Sequence, residues 1–263
     1  MLIARSPVGR SFEYYRDLIV EIVKVELKTR HFQNLLGPLW WLLDPVLNAL
    51  MFFFLTTVLF QAGSGVPYLL FILTMTISWR WFSKSVNNAP TGLLTYQGVL
   101  RRTNFPPLVI PFASAAVELV FFMFGFVVLI AALLLGGVVP NWTWVALPLI
   151  VFVQLVLTLA LSTFLSVVGL FLRDLSQVMW LVTGLWFYMS PAIYPIDRVP
   201  ERFRWLYDLN PFATLMPAYK DVLIDGKIPD VERLVMWLGI SSVLLILALE
   251  FFRRLRGRFY KVL

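Results

Sequence analysis

Catalytic chemistry in this chain would fall to very few side chains. Cysteine is absent and His31 is the only histidine, so thiolate nucleophiles, disulfides and the usual zinc sites are excluded. His31 ends a polar segment and is expected to be solvated. There is no G-x-S-x-G nucleophile elbow, and the DGKIP at 225–229 lacks both the spacing and the hydroxyl of a phosphate-binding G-x-x-x-x-G-K-[ST] loop. No catalytic residue and no metal set is therefore expected. Chemistry is left to a handful of charges in apolar surroundings: Asp44, Arg80, Glu118 and, near segment ends, Lys84 and Glu250. A charge at the centre of a membrane helix costs about 2.5–3.5 kcal/mol on insertion scales, so such groups face protein or water. Asp44 lies beside Pro45 within reach of an interface, and Arg80 and Lys84 are similarly placed. Glu118 is deeper and is read either as a structural pairing or as a proton site, although a single carboxylate does not make a relay.

The elements that must position these groups are membrane helices. Of the 263 residues 60% are hydrophobic and 14% charged, and the mean hydropathy is +0.81. Soluble domains are about 45–50% apolar and about 25% charged. The 10 Trp, 9 Tyr and 23 Phe suit membrane interfaces. Crossing the hydrocarbon takes about 20 apolar residues. Six segments approach that length: 39–60, 66–86, 108–135, 142–172, 178–194 and 234–252. The fifth is short and ends in proline. The reading is an all-α membrane protein with six transmembrane helices. An N-terminal segment, 1–38, precedes the six-span domain, 39–252, and a basic tail, 253–263, follows it.

Positive charge sets the orientation. Arg5, Arg10, Arg16, Lys24, Lys28 and Arg30 precede span one. Lys84, Arg101 and Arg102 follow span two, Arg173 follows span four, and Arg253, Arg254, Arg256, Arg258 and Lys261 close the chain, whereas QAGSG (61–65) and GGVVPN (136–141) carry no charge. Both termini are therefore expected in the cytoplasm. The formal charge of +7 reflects this topology, and no nucleic-acid partner is implied. The connection 195–233, with six basic and seven acidic residues, falls outside. No cleavable signal peptide and no internal repeat are expected.

Three connecting segments carry further information. Residues 10–32 read as an amphipathic helix lying at the interface, with Ser11 as N-cap. Its apolar stripe is Phe12, Tyr15, Ile19, Ile22 and Val25. It either floats among headgroups or faces a cytosolic protein. Residues 83–107 form the longest cytoplasmic connection; Pro90 with Gly92 breaks it, and TGLLTYQGVLRR has the pattern of a short amphipathic helix. The outer segment, about 195–229, has prolines at 195, 200, 211 and 217 and is too apolar for a free loop. It reads as short re-entrant helices between spans five and six, a lining at the outer mouth of a path, because irregular backbone at that depth needs protein or water to satisfy it.

LLGPLWWLLDP (35–45), WRWFSKSVN (79–87), RTNFPPLVIP (102–111), FLRD (171–174) and LNPF (209–212) occur in the order found in ABC-2-type exporter permeases. The chain resembles their polysaccharide and polyol-phosphate branch, which exports O-antigen, capsule or teichoic acid. Leu172 departs from the pattern, since many members carry a second aromatic before the Arg-Asp pair.

The resemblance implies a homodimer with two copies of a separate ATPase that binds ATP and Mg²⁺, in a bacterial cytoplasmic membrane; this chain itself binds no cofactor. It implies a channel lined by spans one and five, where Trp40, Trp41, Phe52, Phe53, Trp180, Trp186, Phe187 and Tyr188 are candidate lining residues for a lipid-linked glycan or polyol-phosphate. Arg101, Arg102, Arg173 and Asp174 are candidates for coupling to the ATPase. Phe203, Trp205, Tyr207 and Phe212 are candidates for an outer gate. A drug or small-lipid exporter of the same fold is an alternative, and a proton-coupled carrier using Glu118 is another.

Overall fold

In the computed structural model the described residues are 12–32, 39–59, 61, 64–194 and 199–262, with side chains for 12–29, 43–58, 61, 64–194 and 199–259. Those residues form α-helices α1 (Phe12–Phe32), α2 (Leu39–Phe54), α3 (Gly65–Thr95), α4 (Gln97–Arg102), α5 (Val109–Leu135), α6 (Leu147–Phe171), α7 (Leu175–Tyr188), α8 (Arg204–Asp208), α9 (Phe212–Lys220) and α10 (Val231–Val262). A π-helical turn, Leu55–Leu59, continues α2, and a second, Asp221–Asp225, continues α9. Short 3₁₀ turns precede α6 and α8.

The central element is α3, which touches α2, α5, α6, α7 and α9. Ten consecutive residues, from Leu70 to Trp79, are buried, as expected of a helix that is apolar all round. The three hydroxyls in that stretch are satisfied by its own backbone: Thr74, Thr76 and Ser78 each donate to the carbonyl four residues earlier, at 2.8, 2.7 and 2.9 Å. At 31 residues α3 is about 46 Å long, longer than the hydrocarbon layer. The helix runs unbroken through Pro90 and Gly92, correcting the sequence expectation of a break there. Packing explains it: a Cβ on Gly169 of α6 would lie 2.2 Å from the Pro90 carbonyl oxygen. The missing side chain lets the two backbones touch, as small residues do between membrane helices.

Three helical stretches among the described residues are long and apolar enough to cross a membrane, Val109–Leu135, Trp142–Phe171 and Val231–Phe259, with a shorter apolar one at Leu43–Val58. Their outward faces stay apolar. Val127, Phe152, Val243, Ile246 and Leu247 are all exposed, the pattern of helices solvated by lipid rather than water. By contrast α7, with 14 residues, is about 21 Å long. Its chain turns at Met189–Ser190 before the proline that the sequence predicted to end it.

The stretch 253–262 is helical and continues α10. Glu250 pairs with Arg253 and Arg254, both at 2.8 Å, the i,i+3 and i,i+4 spacing that supports a helix. On the opposite face of the helix, Phe252 and Phe259 enter a second apolar cluster with Leu93, Leu100, Ile110, Val167 and Leu170. This cluster joins α3, α4, α5, α6 and α10 at the end of the bundle that carries Arg173.

Helix α1 packs against α5, and the Tyr96 hydroxyl donates to Glu26 Oε1 at 2.7 Å. The face turned inward is Tyr15, Leu18, Ile19, Ile22, Val23 and Leu27, all half-buried. Phe12 and Val25, expected in the stripe, are 82% and 52% exposed, while Tyr15, Ile19 and Ile22 of that stripe do turn inward. Ser11 and the side chain of His31 lie outside the described residues.

Candidate functional site

Three constellations stand out, at successive levels of the bundle. At the first, α6 ends at Phe171 and α7 begins at Leu175, so only Leu172, Arg173 and Asp174 separate two helices. Asp174 sits at the N-cap position, yet its side chain makes no capping bond. Its backbone carbonyl accepts from Gln177 and Val178 at 3.1 and 3.2 Å. Both Arg173 and Asp174 are exposed. The structure brings this turn beside α4: Leu170 and Leu100 share the second apolar cluster, and Arg101 and Arg102, exposed on α4, flank it. The four coupling candidates therefore share one end of the molecule.

The second constellation holds the intramembrane charges. Asp44 of α2 pairs with Arg80 of α3, lies 3.9 Å from Lys84 and accepts from Asn48 at 2.9 Å. Glu118 of α5, 2% exposed, accepts from Asn88 of α3 at 3.1 Å and is close enough to Arg80 to interact with it electrostatically. Arg80 thus stands between carboxylates on two different helices, and the charges balance, two basic against two acidic. Of the two roles left open for Glu118, structural pairing is the one these contacts match.

The third is an aromatic cluster around Phe212, the first residue of α9. The Phe212 ring packs against Phe82 at 4.6 Å, Trp79 at 4.7 Å and Trp186 at 6.0 Å between centroids. Phe187 joins through Trp79 at 5.6 Å and Phe52 at 5.2 Å. Trp79 lies 14 residues into α3 from Gly65, about 21 Å along the helix. The other end of the same segment packs on the α5–α6 connection. The Val222 carbonyl accepts from Thr143 at 3.0 Å in the α5–α6 connection, and Gly226, at φ +65°, abuts the Asn141 side chain. Asn210 ties this segment to α7. Its Oδ1 accepts from the Trp186 indole at 2.9 Å and from the Phe212 N–H at 3.0 Å, and its Nδ2 donates to Ser190 Oγ at 2.9 Å and the Met189 carbonyl at 3.2 Å.

The channel candidates divide accordingly. Phe52, Phe53, Trp186 and Phe187 pack inward, Phe53 against Tyr68 at 6.3 Å, whereas Trp180 and Tyr188 are 70% and 54% exposed. The side chains of Trp40 and Trp41 lie outside the described residues. Among the gate candidates Phe203 and Trp205 are exposed, Phe212 is fully buried, and the Tyr207 hydroxyl bonds that of Tyr194. Sequence reasoning missed Trp79, Phe82 and Asn210 as the anchors of the outer segment. Trp79 and Asn210 sat in the motifs WRWFSKSVN and LNPF, but spacing alone does not bring positions 79 and 210 together.

Comparison with known proteins agrees with this architecture. A family model described as ABC-2 type transporter matches residues 18–224. The O-antigen export system permease protein RfbA of Klebsiella pneumoniae is 30% identical over 252 residues, 95% of this chain and 96% of the relative. RfbA of Myxococcus xanthus is 30% identical over 253 residues, with the same coverage of each. The polysialic acid transport protein KpsM of Escherichia coli is 22% identical over 252 residues, 92% of this chain and 95% of the relative. With α2 to α9 inside the matched region and relatives aligned almost from end to end, this multi-pass membrane protein belongs to the ABC-2 type transporter family of permeases.

Proposed function

We propose that the chain is the transmembrane subunit of an exporter that moves a lipid-linked polysaccharide, O-antigen-like, or a teichoic acid polymer across the bacterial cytoplasmic membrane. Two copies of this chain form the path, and two copies of a separate ATPase bind ATP and Mg²⁺ and drive it. The observation that carries the reading is the end-to-end similarity to three O-antigen export permeases at 30% identity. The permease makes six crossings, by α2, α3, α5, α6, α7 with the residues that follow it, and α10. Both termini are cytoplasmic.

Mechanism follows from rigidity. The three-residue turn between α6 and α7 has little slack, so a push on Arg173 and Asp174 moves α7 as a body. Because Asn210 fastens α7 to α9, motion of α7 carries the outer segment with it. That segment, packed on the aromatic cluster at Phe212 and on the α5–α6 connection at Val222, acts as a re-entrant gate in which Phe203, Trp205 and Tyr207 meet the cargo. Trp180 and Tyr188, exposed on α7, offer the aromatic faces on which sugar rings slide. Trp40, Trp41, Phe52 and Phe53 belong to the same path, and Trp186, Phe187 and Phe212 support it from behind. Arg101 and Arg102 extend the coupling surface.

Purification with the cognate ATPase tests the proposal: the polymer substrate raises ATP turnover by the complex. Transport that persists with no ATPase subunit present refutes it. A proton-coupled mechanism makes a different demand, that Glu118→Gln abolish transport; with Glu118 bonded to Asn88, the exporter reading expects transport to survive that change.

A further inference from the structure

The outer segment encloses a cavity of about 660 Å³ between the end of α7 and α8, lined chiefly by Trp186, Met189, Val199, Phe203, Leu206 and Leu209. Its size falls in the range of ligand sites, about 300–1,000 Å³. Tyr188, Tyr194, Tyr207 and Asn210 also reach it, but their polar groups are mostly turned on one another. The Tyr194 hydroxyl donates to the Tyr188 carbonyl at 2.8 Å, which leaves Tyr207 to donate to Tyr194. Asn210 uses its oxygen on Trp186 and Phe212 and its nitrogen on Met189 and Ser190. Among the described lining residues, only the Tyr188 hydroxyl, on a half-exposed side chain, remains to greet a ligand. A sugar entering here would lose water from several hydroxyls and gain almost no partner, which disfavours it. A hydrocarbon chain would lose nothing.

The rim supplies the second half of the argument. Arg202 lies over the Phe203 ring at 4.7 Å, and among the described residues it makes no ion pair, whereas its neighbour Arg204 pairs with Glu201 at 3.9 Å. A cation held at the mouth of an apolar cavity matches an amphiphile with an anionic head. Exposed Met189, Phe203, Trp205 and Leu209 make the mouth continuous with the apolar surface around it.

We propose that this cavity is a binding site for an anionic phospholipid, with one acyl chain between α7 and α8 and its phosphate on Arg202. The bound lipid fills the space beneath α8 and braces it against α7. This assignment goes beyond the transport reading and does not depend on the cargo.

The complex of this chain with its ATPase, delipidated in detergent, is titrated separately with phosphatidylglycerol, phosphatidylcholine and an isoprenyl phosphate, and bound molecules are counted by native mass spectrometry. The expected result is one phosphatidylglycerol per copy of this chain, bound about tenfold more weakly after Arg202→Glu and after the cavity-filling Leu206→Trp, and unchanged after Arg202→Lys. Val243→Trp on the exposed face of α10 leaves binding unaltered, and thermal unfolding verifies that each variant is folded. Equal binding of phosphatidylcholine, preference for the isoprenyl phosphate, or indifference to both Arg202→Glu and Leu206→Trp overturns the assignment. Loss of ATPase stimulation by the polymer with phospholipid binding intact would refute the transport reading alone.

Discussion

The Trp186 indole N–H donates to Asn210 Oδ1 at 2.9 Å, joining the last turns of α7 to the entry of α9. Four hydrogen bonds converge on that one amide, so both its ends are fixed. The entry of α9 is thereby anchored against the bundle rather than left as a loop on its surface.

Asn210→Ala strands the buried partners of that amide and is expected to lower stability by about 1–3 kcal/mol. Asn210→Asp keeps the acceptor but loses the donor to Met189 and Ser190, and should fall between the two. Thermal unfolding of the three proteins in detergent checks the order.

Gly169→Leu should be more damaging than any exposed apolar change. With Pro90 backbone atoms 2.2–2.6 Å from where its Cβ would lie, α6 and α3 must separate, a cost in the range of about 1–3 kcal/mol or more for overpacking. Even Gly169→Ala should lower the unfolding temperature measurably, while Gly184→Ala, with open space around it, should not.

The Asp44–Arg80 pair predicts a positive double-mutant coupling. Its side chains are 39% and 24% exposed, so solvent screening reduces the effect to about 1–2 kcal/mol, below that of a fully buried pair. Asp44→Asn and Arg80→Gln singly should each destabilise, and the double variant should lose less than their sum. Additive losses would show that the pair does not couple α2 to α3.

At the outer end of α9, burial first and the neighbouring Asp225 second push the Asp221 carboxyl above the usual carboxylate range, against the pull of Lys220 and Lys227. A raised folded-state value means that folding favours the protonated acid. Its contribution is complete below the unfolded value, about pH 3.9, and is lost as pH rises through the folded value. Asp221→Asn should therefore unfold at a higher temperature than the parent at pH 7, with the difference vanishing near about pH 4.

Local patterns in the sequence located the helices well. The apolar runs mark α2, α5, α6 and α10, and Pro200 and Pro211 stand just before short helices, whereas α9 runs through Pro217, where the sequence predicts a break. Pro90 misleads because the sequence does not show its packing: the backbone of Gly169, 79 positions away, lies directly against it. The short turn that holds Arg173 and Asp174 was legible because the break between the apolar runs is local. The candidate site was illegible where function depends on register between helices. Composition alone shows that Trp186 and Phe212 are aromatic, but only the fold shows that they pack behind Trp79 and Phe82 while Trp180 and Tyr188 remain exposed.

The central claim is that the α6–α7 turn is the cytoplasmic handle by which an ATPase moves the permease. Since the chain contains no cysteine, Arg173→Cys introduces a unique thiol that can be probed with a membrane-impermeant maleimide. The account predicts labelling in inside-out vesicles stripped of the ATPase, protection when the ATPase is bound, and no labelling in intact cells. Labelling from the outside of intact cells would contradict it.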